Sequence, residues 1–433
     1  MRAHGRRILI AAIVLLTGMT ALGLRAQQHP VEFTETDRKR IARHTNLGEP
    51  PVDTTNRFAA DDQAAAFGHR LFFDTRLSGN GQISCVTCHD PMGGFADGAS
   101  RAMGIAEGTR NSPSLWNVAY NRWYFWDGRS DSLWNQAMQP IERDVEMDSD
   151  RLSVVHLLSG DAALRAQYEA IFGALPDVSD ASRFPAEAKP GNGDDPRFNA
   201  WNAMADVDQD AVNRVFANVG KAMAAYQTKL ISNDAPFDRF ARALASGDQA
   251  GMDAMSVSAQ RGLKMFIGRG NCRICHSGPN FSDGEFHNIL VPPLEGGLPR
   301  DRGRYDAPKI LKKDIFNASG AFSDDRSGVR SRLTRSLIST PEQWGQFKTP
   351  SLRNVALSAP YMHEGQYADL REVFEHYSTL EDAIQFGHHA EQLLVPLNLT
   401  DEEMGDLEAF LNALTDESIE ERWLRPPGVE AGN

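Results

Sequence analysis

Apolar residues recur along this chain at intervals of three and four, the spacing that keeps one face of a helix out of water. Val212, Val215, Phe216, Val219, Met223, Tyr226 and Leu230 form one long stripe of this kind. Leu370, Val373, Phe374 and Tyr377 form a shorter one, and Met404, Leu407, Phe410, Leu411 and Leu414 another. The last is preceded by Thr400-Asp401-Glu402-Glu403, a capping box in which the first and fourth side chains satisfy each other's backbone N–H groups. Two more helix-like runs, 64–73 and 259–266, end in phenylalanine. No alternating run is strong enough to predict a sheet. The pattern predicts a mainly α protein.

Between the helical stretches lie two long polar segments. Residues 176–210 are rich in Pro, Gly, Asp and Asn, and residues 291–346 mix Gly, Arg, Asp and Ser with little periodicity. Loops of this length inside a compact protein usually serve function or move. A chain of 433 residues is long enough for two domains, each with its own core. The N-terminus reads as a secretory signal, with arginines at Arg2, Arg6 and Arg7, an apolar run from Ile8 to Leu24, and a cut after Ala26. A retained anchor is the alternative, because the run approaches spanning length. The expected division is a signal peptide at 1–26, one domain at 27–235 and a second at 236–433. A return of the last helix onto the first domain is left open.

Charge narrows the partners. The net charge of −13 becomes −17 once the four arginines of residues 1–26 are removed. An acidic surface argues against nucleic acid and against anionic lipid. It permits a basic protein partner without requiring one.

All four cysteines fall in two CxxCH motifs, Cys85-Val86-Thr87-Cys88-His89 and Cys272-Arg273-Ile274-Cys275-His276. Such a motif binds c-type haem covalently, the cysteines forming thioethers and the histidine the proximal iron ligand. Two complete copies with no cysteine left over weaken the zinc and redox-dithiol alternatives. Haem c is attached outside the cytoplasm, in agreement with an exported, periplasmic protein. The motifs sit one in each half, so the chain reads as two cytochrome c-like haem domains with long loops, the haems facing each other across the interface.

Further landmarks carry a family resemblance. They are Leu71-Phe72-Phe73-Asp74 with Arg76-Leu77-Ser78, Ile83-Ser84 before the first motif, Arg110-Asn111-Ser112-Pro113, Phe125-Trp126-Asp127-Gly128-Arg129, Asp234-Ala235-Pro236-Phe237-Asp238, and Thr349-Pro350-Ser351-Leu352-Arg353-Asn354 running on to His363. Together, across roughly residues 65–420, the chain resembles the bacterial dihaem cytochrome c peroxidases and MauG. The resemblance is weakest in the two long polar segments. It implies a peroxide-reactive haem on His89 and an electron-exchanging haem on His276. Many members block the first iron with a histidine in the loop after the first motif. Here no histidine lies between His89 and Trp126, which implies an open site unless Met92 or Met103 caps it.

The same resemblance implies roles for other residues. Glu146 falls where the family has its acid/base for peroxide cleavage, and Gln136 where it has the partner that orients peroxide. From the residues alone, Glu146 in its acidic run would be a solvated charge. Trp126 matches the tryptophan between the haems, an electron relay, though a large buried aromatic is also ordinary core. Tyr377 falls at the axial ligand of the second haem, where the scavenging branch has methionine and MauG has tyrosine. A tyrosinate favours oxidised iron. The helical stripe allows Tyr377 to be plain core instead, and Met362 and His376 compete for the iron. His363 is expected against a haem propionate or between the haems. A calcium ion is implied at Asn111, Ser358 and Pro360, a hard-oxygen site, although Asn111 also suits a turn.

Three functions follow as expectations. The first is a periplasmic, MauG-like enzyme that uses hydrogen peroxide to form a high-valent two-haem state. It would oxidise a tyrosine or tryptophan of a protein partner by long-range electron transfer, with Trp201 or Trp344 as the exit and no stable membrane association. The second is a peroxide-scavenging cytochrome c peroxidase fed by a small cytochrome or copper protein. The third is a dihaem electron carrier without peroxidase chemistry.

Overall fold

The helical stripes become buried helix faces. In a computed structural model, residues 31–385, 391–418 and 420–428 are described; the signal segment at 1–26 lies outside them. Asp206–Gln227 is the longest helix among the described residues. Val212, Val215, Phe216, Val219, Met223 and Tyr226 on its stripe are all buried, each burial contributing roughly 1.5–3 kcal/mol for a side chain of this size. The capping box at Thr400 forms as read, with Glu403 N–H donating to Thr400 Oγ1 and Thr400 N–H to Glu403 Oε2. The helix it opens is Asp401–Asn412.

Each half of the chain repeats one plan. In the first, Asp62–Phe72 packs on Asp206–Gln227; in the second, Val257–Ile267 packs on Asp401–Asn412. A CxxCH turn follows the first helix of each pair. Next comes a left-handed asparagine, Asn117 (φ 56°) or Asn354 (φ 58°), that opens a short 3-10 turn. A tight reversal bridged by Tyr124 and Ser130, or Tyr361 and Tyr367, then leads into Leu133–Glu142 or Leu370–Thr379. The helix pairs cross so closely that glycine is required. A Cβ at Gly68 would stand 2.0 Å from the carbonyl oxygen of Ala222, and one at Gly262 would stand 1.9 Å from that of Asp406. A helix backbone cannot swing aside as a side chain can. Gly262→Ala is therefore expected to cost about 1–3 kcal/mol, read as a lowered denaturation midpoint of the haem-loaded protein.

The two cores draw on sequence unevenly. Asp401–Asn412 stays with the second core, and only the chain beyond it returns to the first, where Trp423 packs and its carbonyl accepts from Tyr226 Oη (2.7 Å). Part of the 291–346 segment also joins the first core, through Phe316 and Phe322. It is tied there by Asn135 to Asp314 (2.7 Å), Ala318 N–H to Asp131 (2.9 Å) and Lys221 to Asp324 (2.7 Å). A two-residue antiparallel ladder, Phe286–His287 with Phe347–Lys348, closes the base of this excursion. The 176–210 segment is no free loop either. Phe184, Ala188, Trp201 and Met204 enter the first core. Lys189 Nζ donates to the carbonyl of Glu142 (3.0 Å), and Arg197 pairs with Asp148 (2.8 Å). This segment buttresses the turn that carries Glu146.

Candidate functional site

Both CxxCH turns open onto one continuous cavity of about 1210 Å³ between the two halves, larger than the roughly 300–1,000 Å³ of a site for one drug-sized ligand. On its wall stand Cys88, His89, Cys272, Cys275 and His276, together with Glu146, Gln136, Trp126, His363, Tyr377, Asn111, Ser358 and Pro360. Cys85 sits just behind, against the first core. Residues far apart in sequence are thus gathered around a single space.

The two motif histidines are held in the same way. His89 Nδ1 lies 3.1 Å from the carbonyl of Phe95, and His276 Nδ1 lies 3.0 Å from that of Phe281. Both phenylalanines take positive φ, 60° and 50°, which turns the loop back over the ring. A carbonyl can only accept, so Nδ1 carries the proton and Nε2 keeps its lone pair for a metal. Burial pushes both imidazoles below their ordinary pKa, so they stay neutral, as ligation requires. Burial also raises the thiols of Cys85, Cys88 and Cys272 to about 12. The four cysteines do not converge: among the described residues the only metal-like cluster is Cys275 with Asp283 and His287. A four-cysteine zinc site is therefore not formed.

On the first side, Gln136, Pro140, Arg143 and Glu146 form one stretch of wall. Glu146 is partly exposed, at 26%, and its carboxylate pairs with Arg143 Nε at 2.7 Å. Its backbone carbonyl accepts from Ile105 (3.0 Å), and the hairpin carrying Gly104 is pressed against it. Met92 and Met103 are 75% and 49% exposed and do not line the cavity. Among the described residues, the wall on this side presents no methionine and no histidine beyond His89.

Between the two sides, the backbone of Asn111 makes the link. Its carbonyl accepts from Trp126 Nε1 (2.9 Å), and its N–H donates to the carbonyl of His363 (2.9 Å). His363 stacks on Phe347 at 3.7 Å, and burial lowers it to about 3. It is a neutral ring there. Phe347 adjoins Lys348, whose N–H donates to the carbonyl of Trp126 (2.7 Å).

On the second side, Tyr377 reaches the cavity from Leu370–Thr379. Its hydroxyl has no hydrogen-bond partner among the described residues, and burial raises its pKa above the ordinary phenol value. His376 is committed elsewhere, with Nδ1 at 2.7 Å from Asp382 and Nε2 at 3.0 Å from the carbonyl of Ile289. Met362 does line the wall. Of the two suggested exit residues, Trp201 is buried beneath Arg151 and away from the cavity, because the 176–210 segment folds into the first core. Trp344 lines the cavity and packs on Tyr305 at 5.4 Å.

These residues fit two covalently bound haems. Neutral histidines aim bare nitrogens at an apolar-walled space, with cysteines beside them. Buried donors that lack protein partners, Trp116 Nε1 and Arg129 Nε, also belong to residues of the wall. Comparison with known proteins agrees. The sequence profile of the family described as di-haem cytochrome c peroxidase matches residues 62–246. The chain is 31% identical over 360 residues to methylamine utilization protein MauG of Methylorubrum extorquens, covering 82% of this chain and 79% of that one. It is 33% identical over 373 residues to cytochrome-c peroxidase IdrP1 of Denitromonas iodatirespirans, covering 84% of each.

The chain belongs to the di-haem cytochrome c peroxidase/MauG family. Its fold is that family's as well. The crystal structure of a MauG-like protein associated with microbial copper homeostasis matches with a TM-score of 0.62 at 27% identity, over 88% of this chain and 97% of that one. The protein is thus an oxidoreductase of the di-haem peroxidase family, and that membership implies two haem c groups. Family motifs did not point to Arg143 or to the Asn111 backbone link, and Arg129 stood in a motif without an assigned role. Arg143 carries a weak signal, standing three residues before Glu146; the Asn111 link exists only in the fold.

Proposed function

We propose that this di-haem enzyme reacts with hydrogen peroxide on the His89 side and oxidises an aromatic residue of a protein partner. The observation that carries this reading is the asymmetry of the cavity. Among the described residues, the first side offers no histidine or methionine besides His89 to cap an iron held there, and the second offers Tyr377 on the cavity that His276 also lines. Bound haem c supplies one-electron exchange and, where a coordination position is free, peroxide reduction. The chain supplies the rest. Glu146 takes a proton from peroxide and returns it to the leaving oxygen, with Arg143 holding its carboxylate in place. Gln136 orients the oxygen pair by hydrogen bonding. Trp126 relays electrons between the two sides, and Asn111 fixes its indole. Tyr377 would hold the iron of the second haem and, giving up its proton to the metal's charge, would favour the oxidised state. His363, stacked on Phe347, would stand beside the haems as a neutral ring. Asn111, Ser358 and Pro360 lie on the same wall and would hold calcium with their oxygens, stiffening the link between Trp126 and His363. The apolar N-terminal segment supports export to the periplasm; no helix among the described residues is long and apolar enough to cross a membrane.

The test is to mix the as-isolated diferric protein with one equivalent of peroxide and follow visible and near-infrared spectra. An immediate change without prior reduction, slow decay, and poor turnover with a reduced small cytochrome are expected. An unchanged spectrum would overturn the proposal. The scavenging alternative is kept alive by relatives named as cytochrome c peroxidases at similar identity; rapid turnover with the small cytochrome would favour it.

A further inference from the structure

Nearly every cation on the cavity wall is already neutralised by the protein. Arg101, Arg110, Arg129, Arg143, Arg302 and Arg353 each have a carboxylate within ion-pair distance, and Arg300 stands exposed at the rim. Lys348 has neither outlet. Among the described residues it forms no ion pair, and its Nζ makes one hydrogen bond, to the carbonyl of Thr349 at 3.3 Å. Burial pulls its ammonium down to about 8, which still leaves it charged at neutral pH. An ammonium that faces the cavity without an ion pair loses its hydration when the cavity fills, so a counter-charge is expected to arrive with whatever fills it.

The surroundings say which side it serves. The Thr349 carbonyl that Lys348 reaches also accepts from Ser282 Oγ (2.7 Å), and Thr349 N–H donates to the backbone carbonyl of Glu285 (3.0 Å). The one acid that acts on Lys348 is Asp283, whose N–H donates to the carbonyl of Cys275 (2.8 Å). All of these belong to the loop of the second motif. Asp283 shares the imidazole of His287 (2.9 Å) with Glu391 (2.8 Å) and makes no ion pair with Lys348. That cluster is closed, and Lys348 is left facing the cavity.

We propose that Lys348 anchors a propionate of the second haem, and that its charge raises the potential of that haem against the pull of Tyr377. The inference rests on the two-haem identity of the protein and not on its reactivity with peroxide. Haem c carries two propionates, and an ammonium near the iron favours the reduced form by simple electrostatics. The N–H bond from Lys348 to the carbonyl of Trp126 makes the anchor and the relay indole parts of one rigid piece.

Two measurements test this without any turnover assay. In a crystal structure of the haem-loaded wild-type chain, Nζ should lie within about 4 Å of a propionate oxygen of the His276 haem. A contact with the other haem, or with none, overturns the proposal. In spectroelectrochemical titrations of the loaded variants, K348Q should shift the His276 haem midpoint negative and leave the His89 haem in place, while K348R should stay near wild type. Unmoved midpoints in K348Q, or a shift confined to the His89 haem, would also overturn it. If K348Q fails to load haem, the wild-type crystal structure decides alone.

Discussion

Tyr377→Met makes the second haem readily reducible and abolishes the slowly decaying oxidised state that follows peroxide. An anionic, hard oxygen donor offsets the charge of oxidised iron, whereas a thioether favours the reduced form. Axial ligands tune haem potentials over about 0.8 V in all, so a rise on the order of tenths of a volt is expected. Geometry supports the assignment. Tyr377 is the hydroxyl-bearing residue of its helix that enters the cavity, while His376 beside it spends both nitrogens on Asp382 and Ile289. Spectroelectrochemistry of the loaded variant checks the result, and an unchanged midpoint would show that Tyr377 is core and not ligand. Methionine also fills the site, so lost packing should not obscure the answer.

Glu146→Gln is expected to slow the first reaction with peroxide by about 10²–10⁴-fold, the usual contribution of a positioned proton-transfer group. The substitution keeps size and hydrogen-bonding capacity but removes the basic oxygen. Stopped-flow spectra of the diferric enzyme measure it directly. The competing view is a solvated carboxylate, which its 26% exposure and its pairing with Arg143 make worth testing. A solvated charge predicts an unchanged rate. Gln136→Leu should act in the same direction and more weakly, since it removes orientation without removing the base.

Much of this was legible before any fold. Apolar spacing marked the helices, and the buried stripe of Asp206–Gln227 matches the spaced residues from Val212 to Tyr226, with Leu230 buried just past its end. The capping box formed where a threonine and a glutamate stood three apart. The two long polar segments were harder to read, because their anchors are single residues set among polar neighbours. Phe316, Phe322 and Trp201 carry no periodicity, yet each joins the first core. The two haem modules were read from their motifs, but the matching order of turns and helices inside them was hidden for a similar reason: the 291–346 segment separates the second haem turn from its left-handed asparagine and disturbs the matching intervals.

By itself the sequence determined that this is a mainly helical, two-haem protein, because CxxCH carries its covalent chemistry within five residues and helical burial within a few turns. Tertiary structure alone decided that both motifs face one cavity. It also showed that Met92 and Met103 are exposed and not on its wall, that His376 is committed elsewhere and Tyr377 is not, and that Lys348 makes no ion pair among the described residues. Ligation and charge balance depend on which groups share a space. Those groups come from segments more than a hundred residues apart, so only folding brings them together.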